Sequence, residues 1–75
     1  MYVADILFES VEDAKSFVNI CNSAPFSVEL VAGAYVIDAK SIMGIFSLDL
    51  SKRIEMHADC AETDPFVEKV KPFVK

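Results

Sequence analysis

Polar and apolar positions along the chain change period several times, and each change marks an element. Residues 2 to 8 alternate, with Tyr2, Ala4, Ile6 and Phe8 on one face and Val3, Asp5 and Leu7 on the other. A period of two predicts a strand. After Glu9 and Ser10 the spacing becomes helical: Val11, Ala14, Phe17, Val18 and Cys21 fall on one side, opposite Glu12, Asp13, Lys15, Ser16 and Asn19. Ser10 is placed to cap this helix, with Asp13 three residues on as its capping-box partner. The helix is expected to end near Asn22, before Pro25.

Residues 27 to 31 and 34 to 38 are short β-rich runs joined by Ala32-Gly33, and a glycine that can take positive φ predicts a tight hairpin there. Ser41 then opens one to two helical turns carrying Ile42, Ile45, Phe46 and Leu48, and Asp49 to Lys52 makes a turn. Residues 53 to 58 alternate cleanly, with Ile54, Met56 and Ala58 inward and Arg53, Glu55 and His57 outward. Asp64 followed by Pro65 is a strong helix start, and Phe66, Val67, Val70, Phe73 and Val74 supply the apolar stripe. Pro72 should kink or end this last helix around Lys71.

The element order is thus β-α-β-β-α-β-α. It predicts an α+β fold: an open-faced two-layer sandwich in which an antiparallel sheet carries its helices on one face. Residues 1–75 form a single domain with no linker or low-complexity tract. Chains this short bury only about 60% of the surface they expose when unfolded. The 53% hydrophobic content, with six Phe, makes a core feasible without staples.

Composition narrows function mainly by exclusion. A net charge of −5 argues against nucleic-acid binding, which depends on cations neutralising phosphates. No apolar run approaches the length of about 18 residues that a membrane span needs. Cys21 and Cys60 are far apart, without CxxC spacing or a preceding signal-peptide pattern. They are expected to be buried, reduced thiols in a cytoplasmic protein. His57 shares a strand face with Glu55 and Asp59, a set better read as a solvated polar face than as a metal or acid–base site. No metal and no cofactor are expected.

The richest stretch is Asp38-Ala39-Lys40-Ser41-Ile42-Met43-Gly44-Ile45-Phe46-Ser47-Leu48, supported downstream by Lys52 and Glu55. With the element order, it resembles HPr, the small phosphocarrier of the bacterial phosphoenolpyruvate-dependent sugar phosphotransferase system. The resemblance covers nearly the whole chain as a pattern of elements and is specific over these eleven residues. It implies an HPr-like fold with a four-stranded antiparallel sheet. This version of the motif is similar to that of low-GC Gram-positive HPr proteins, in which the serine is a regulatory phosphorylation site. It is similar also to their relative Crh, which keeps the serine and lacks the carrier histidine.

The family's other motif is a Gly-(Leu/Ile)-His-Ala-Arg-Pro segment at the start of the first helix. Counting back from Ser41 without gaps puts Ser10 at the carrier-histidine position, Glu12 at the arginine position and Asp13 at the proline. Serine has no imidazole nitrogen to hold a phosphoramidate, and Glu12 reverses the charge that would balance the phosphate. The resemblance therefore implies a non-enzymatic regulatory module. Ser41 is its candidate phosphorylation site, and Ile42, Met43 and Phe46 are its candidate partner-binding residues. The implied partners are proteins: phosphotransferase-system enzymes, the HPr kinase/phosphorylase, or a transcription regulator of carbon catabolite repression. Two alternatives stay open. One is a phosphoryl carrier using Ser10 or His57 as an atypical acceptor; the other is an interaction domain unrelated to sugar transport.

Overall fold

The computed structural model describes residues 1–75. Four strands form one antiparallel sheet: β1 (Tyr2–Ile6), β2 (Val28–Ala32), β3 (Tyr35–Asp38) and β4 (Ile54–Ala58), in the order β1-β4-β2-β3. Three α-helices, α1 (Val11–Asn22), α2 (Ile42–Phe46) and α3 (Pro65–Val70), complete the sandwich, and a 3-10 turn at Lys71–Phe73 follows α3. The α+β architecture expected from the periodicities is the one observed.

Register explains why only one sheet face is buried. Ala4 pairs with Met56 and Ile6 with Ile54 between β1 and β4, while Leu30 pairs with Met56 between β2 and β4. These side chains point toward the helices, and Ile6, Leu30, Ile54 and Met56 are buried. The intervening positions Asp5, Glu29, Glu55 and His57, with Val3, Val31 and Val36 among them, occupy the other face. Every fully buried residue is apolar, so the core contributes packing and no charged group.

Phe17 from α1, Phe8 after β1 and Phe73 from the 3-10 turn meet edge to face, with ring centroids 5.3 to 6.1 Å apart. Phe26 and Phe66 form a second edge-on pair at 5.2 Å. Such geometry sets the positive ring edge against the negative face and contributes about 0.5–1.5 kcal/mol per pair beyond burial.

The structure shifts several expected boundaries. β1 ends at Ile6 rather than residue 8, and β2 runs from Val28 to Ala32 rather than from 27 to 31. The hairpin link is Gly33-Ala34 rather than Ala32-Gly33, because Ala32 still pairs with Tyr35. Gly33 alone has positive φ, at 62°. That matches a type II′ turn, whose twist suits the flanking strands. Val11, expected on the apolar stripe of α1, is exposed at 54%, because it sits in the first turn beyond the edge of the core. Cys60, expected to be buried, is half-buried, and both thiols are free. Pro72 ends α3 at Val70 and sits inside the 3-10 turn, where its missing N–H costs little.

One pairing has no counterpart in the sequence reading. The C-terminus returns to β1, where Ile6 bridges Val74. Leu7 N–H donates to the Phe73 carbonyl at 2.9 Å, and Lys75 N–H donates to that of Asp5 at 3.1 Å. One outer sheet edge is thereby partly covered, while the β3 edge stays open.

Candidate functional site

Ser41 ends the loop after β3 in extended conformation (φ −100°, ψ 110°), and its Oγ accepts the Gly44 N–H at 3.1 Å. The hydroxyl therefore caps α2, satisfying one of the donors that a helix start leaves unpaired. The preceding residues are held from two sides. Asp38 Oδ1 accepts the Lys40 N–H at 2.9 Å, and Asn22 in the last turn of α1 donates to the Lys40 carbonyl at 3.1 Å. Lys40 itself sends its ammonium to the Ala24 carbonyl at 3.0 Å. It is thus tied to the end of α1 rather than free to screen a charge on Ser41.

The apolar residues of α2 divide between core and solvent. Ile45 is fully buried, and Ile42 and Leu48 pack half-buried against the core. Met43 is 82% exposed and Phe46 43%. Of the three expected partner-binding residues, Met43 and Phe46 face outward, whereas Ile42 offers only part of its surface. Gly44 sits where a Cβ would come within 3.3 Å of Ser41 Oγ, so the absence of a side chain there keeps the cap uncrowded.

Ser10 caps the opposite end of α1 from the Lys40 contact, at the far end of a helix about 18 Å long. Its Oγ accepts the Asp13 N–H at 3.1 Å. Asp13 reaches back to the N–H of Glu9 at 3.1 Å, one residue earlier than the usual capping box. Glu12 is exposed and 3.9 Å from Lys15, and Glu9 pairs with Lys75 at 3.7 Å. Three carboxylates thus crowd this helix start. His57, the only histidine, lies on β4 on the sheet face away from the helices, hydrogen-bonded to Glu55. Glu29 and Val3 are its cross-strand neighbours. Ser10, Ser41 and His57 therefore stand on three different elements, and no cluster of three metal-capable side chains forms.

Titration shifts are few. Burial pushes the Cys21 thiol up to about 12, and Lys40 only partly offsets this. Hydrogen bonds from the Ser51 hydroxyl and N–H hold the Asp49 carboxyl below its usual value.

No protein-family model matches the chain, and no curated protein sequence does. Solved structures do match. HPr-C-His from Thermoanaerobacter tengcongensis superposes with a TM-score of 0.78, covering 99% of this chain and 91% of that one at 20% identity. The phosphocarrier protein HPr from Bacillus anthracis str. Ames gives 0.73, with 99% and 94% covered at 19% identity. The histidine-containing phosphocarrier protein of a Mycoplasma gives 0.71, with 95% and 86% covered at 17% identity.

The chain has the HPr fold. At these identities the likeness concerns the backbone, and it agrees with the resemblance carried by Asp38 to Leu48. No helix is long and apolar enough to cross a membrane. One feature near α2 escaped the sequence reading: a groove between the β2–β3 turn and residues 47–54. It is assembled from three separated segments, and the only sequence signal for it is the adjacent cation pair Lys52-Arg53.

Proposed function

We propose that this chain is a cytoplasmic, regulatory protein-binding module of HPr type that lacks the carrier histidine. It docks through the outer surface of α2 and is switched by phosphorylation of Ser41. The observation that carries this reading is Met43, 82% exposed on a helix that Ser41 opens, within a stretch that resembles the regulatory motif of HPr-like proteins. A large thioether side chain in water gains by finding an apolar partner surface, and Met adapts its shape to one readily. Phosphorylating the exposed Ser41 hydroxyl would add about 1.5–2 negative charges beside that surface and alter which partner it accepts.

The start of α1 supports the other half of the proposal. A phosphoryl group near Glu9, Glu12 and Asp13 would face like charges, each worth about 1 kcal/mol of repulsion at 4 Å in water and about 4 at an effective dielectric of 20. Ser10 cannot form a phosphoramidate, and its hydroxyl opens the helix start that these carboxylates crowd. His57 has acids beside it and across from it, at Glu55 and Glu29, which disfavours an added anion there for the same reason.

The partners proposed are phosphotransferase-system enzymes, the HPr kinase/phosphorylase, or a catabolite-control transcription regulator, in bacterial carbon-source regulation. Incubation with that kinase and labelled ATP tests the switch. Wild type is expected to take up one phosphate, and Ser41→Ala none. No label in wild type, or equal label in both, overturns it. Met43→Ala and Phe46→Ala should weaken capture of the partner while leaving Ser41 a substrate.

A further inference from the structure

The groove noted beside α2 has a volume of about 350 Å³, near the lower end of the range for specific binding clefts. Its apolar wall comes from Ala32, Tyr35, Leu48 and Ile54, and its rim carries Lys52 and Arg53. Tyr35, beside the hairpin turn on the edge strand β3, is 71% exposed.

The cations of the chain are otherwise occupied. Lys15, Lys71 and Lys75 are in ion pairs with Glu12, Glu68 and Glu9, and Lys40 is bonded to the Ala24 carbonyl. Only Lys69, alone on α3, and the adjacent pair Lys52-Arg53 lack a partner. Asp49, also on the groove rim, accepts from the N–H and hydroxyl of Ser51 at 3.1 and 2.6 Å and keeps its negative charge, so the rim carries two cations against one anion. On a chain of net charge −5, this rim, with Lys52 and Arg53 against the single Asp49, is where an anionic partner meets net positive charge beside apolar surface.

We infer that this groove binds an acidic segment of a partner protein, with an apolar anchor side chain seated against Tyr35, Leu48 and Ile54 and carboxylates on Lys52 and Arg53. A small organic anion fits less well, because binding sites for such molecules enclose most of the ligand and this trough leaves Tyr35 largely in solvent. The groove continues from α2 through Ser47 and Leu48, so the inference deepens the docking reading above by naming the chemistry of the partner. It does not depend on phosphorylation of Ser41.

Titrating the ¹⁵N-labelled chain with a synthetic peptide bearing one phenylalanine flanked by glutamates tests it by amide shift mapping. The shifts are expected at Tyr35, Leu48, Lys52 and Ile54. Affinity is expected to fall at least about tenfold in K52E/R53E, and also as ionic strength rises from about 0.01 to 0.15 M, because screened rim charges steer less. A K52Q/R53Q variant with an otherwise unchanged spectrum guards against misfolding and should lose affinity less steeply. Lys69→Gln, which removes the other unpaired cation away from the groove, should bind this peptide as wild type does. Absence of shifts at the groove, shifts confined to Met43 and its neighbours, or undiminished binding in K52E/R53E overturns the inference. Loss of the natural partner in Met43→Ala with a silent groove would overturn it while leaving the α2 surface standing.

Discussion

Replacing Ser41 by Ala and by Asp separates the cap from the switch. In the folded chain Ser41 Oγ accepts the Gly44 N–H at 3.1 Å, and an alanine leaves that donor to water. Such losses cost about 0.5–2 kcal/mol, typically ~1. Because Ser41 is exposed and water can reach the freed N–H, about 0.5–1 kcal/mol is the expected cost. Aspartate is as good a cap as serine, and a negative charge at a helix start adds about 0.3–1 kcal/mol. The five-residue length of α2 and the nearby Asp38 carboxylate hold that gain to its lower end. Ser41→Asp is therefore expected within about 0.5 kcal/mol of wild type. Urea unfolding followed by circular dichroism reads both variants. With a slope of about 1 kcal/mol/M for so small a domain, Ser41→Ala lowers the midpoint by about 0.5–1 M and Ser41→Asp leaves it nearly unchanged. If both variants fall equally, or Ser41→Ala does not fall, the side chain is not acting as a cap. If the prediction holds, any change in partner binding by Ser41→Asp reports charge rather than a damaged helix.

Phe73→Ala removes the ring that contacts both Phe8 and Phe17 and should cost about 3–5 kcal/mol. Against a total stability of about 4–11 kcal/mol for this length, the thermal midpoint should fall by at least about 12 °C, read by thermal melting. Gly33→Ala meets no atom within 4 Å, yet φ there is +62°. The cost of about 1–2 kcal/mol is thus purely of backbone origin and should appear as a lower denaturant midpoint with an unchanged slope. Cys21 ionises at about 12 when folded and near 9 when unfolded. The native state therefore holds the proton longer: stability from this thiol is complete below pH 9 and falls as pH rises toward 12, by up to about 1.4 kcal/mol per pH unit. Cys21→Ala should flatten the slope of stability against pH in that window by this amount, measured in urea titrations. Met43→Ala should change stability by less than about 0.5 kcal/mol, since the side chain is mostly in water, while reducing partner capture.

Local signals were the legible ones. Ser10 with Asp13, Asp64 with Pro65, and the clean alternation from Ile54 to Ala58 each rest on contacts within a few residues, and each stands where the spacing placed it. Gly33 marked the hairpin but not whether Ala32 or Ala34 shares the link with it, because either link satisfies the glycine and only the Ala32–Tyr35 pairing decides. The return of Val74 to Ile6 joins residues far apart in sequence and leaves no periodic trace, so the last residues read as a helix stripe. Around Ser41 the motif located the cap and the outward Met43. The commitment of Lys40 to the Ala24 carbonyl and the groove beside Tyr35 depend on how separate segments pack.

The sharpest test of a docking module without carrier chemistry is phosphoryl transfer from phosphoenolpyruvate by the first enzyme of the phosphotransferase system. Mass spectrometry of the intact chain under neutral conditions should show no added phosphate while an authentic HPr in the same mixture is fully phosphorylated. A stoichiometric acid-labile phosphate on His57, or a phosphate on Ser10, would contradict the proposal.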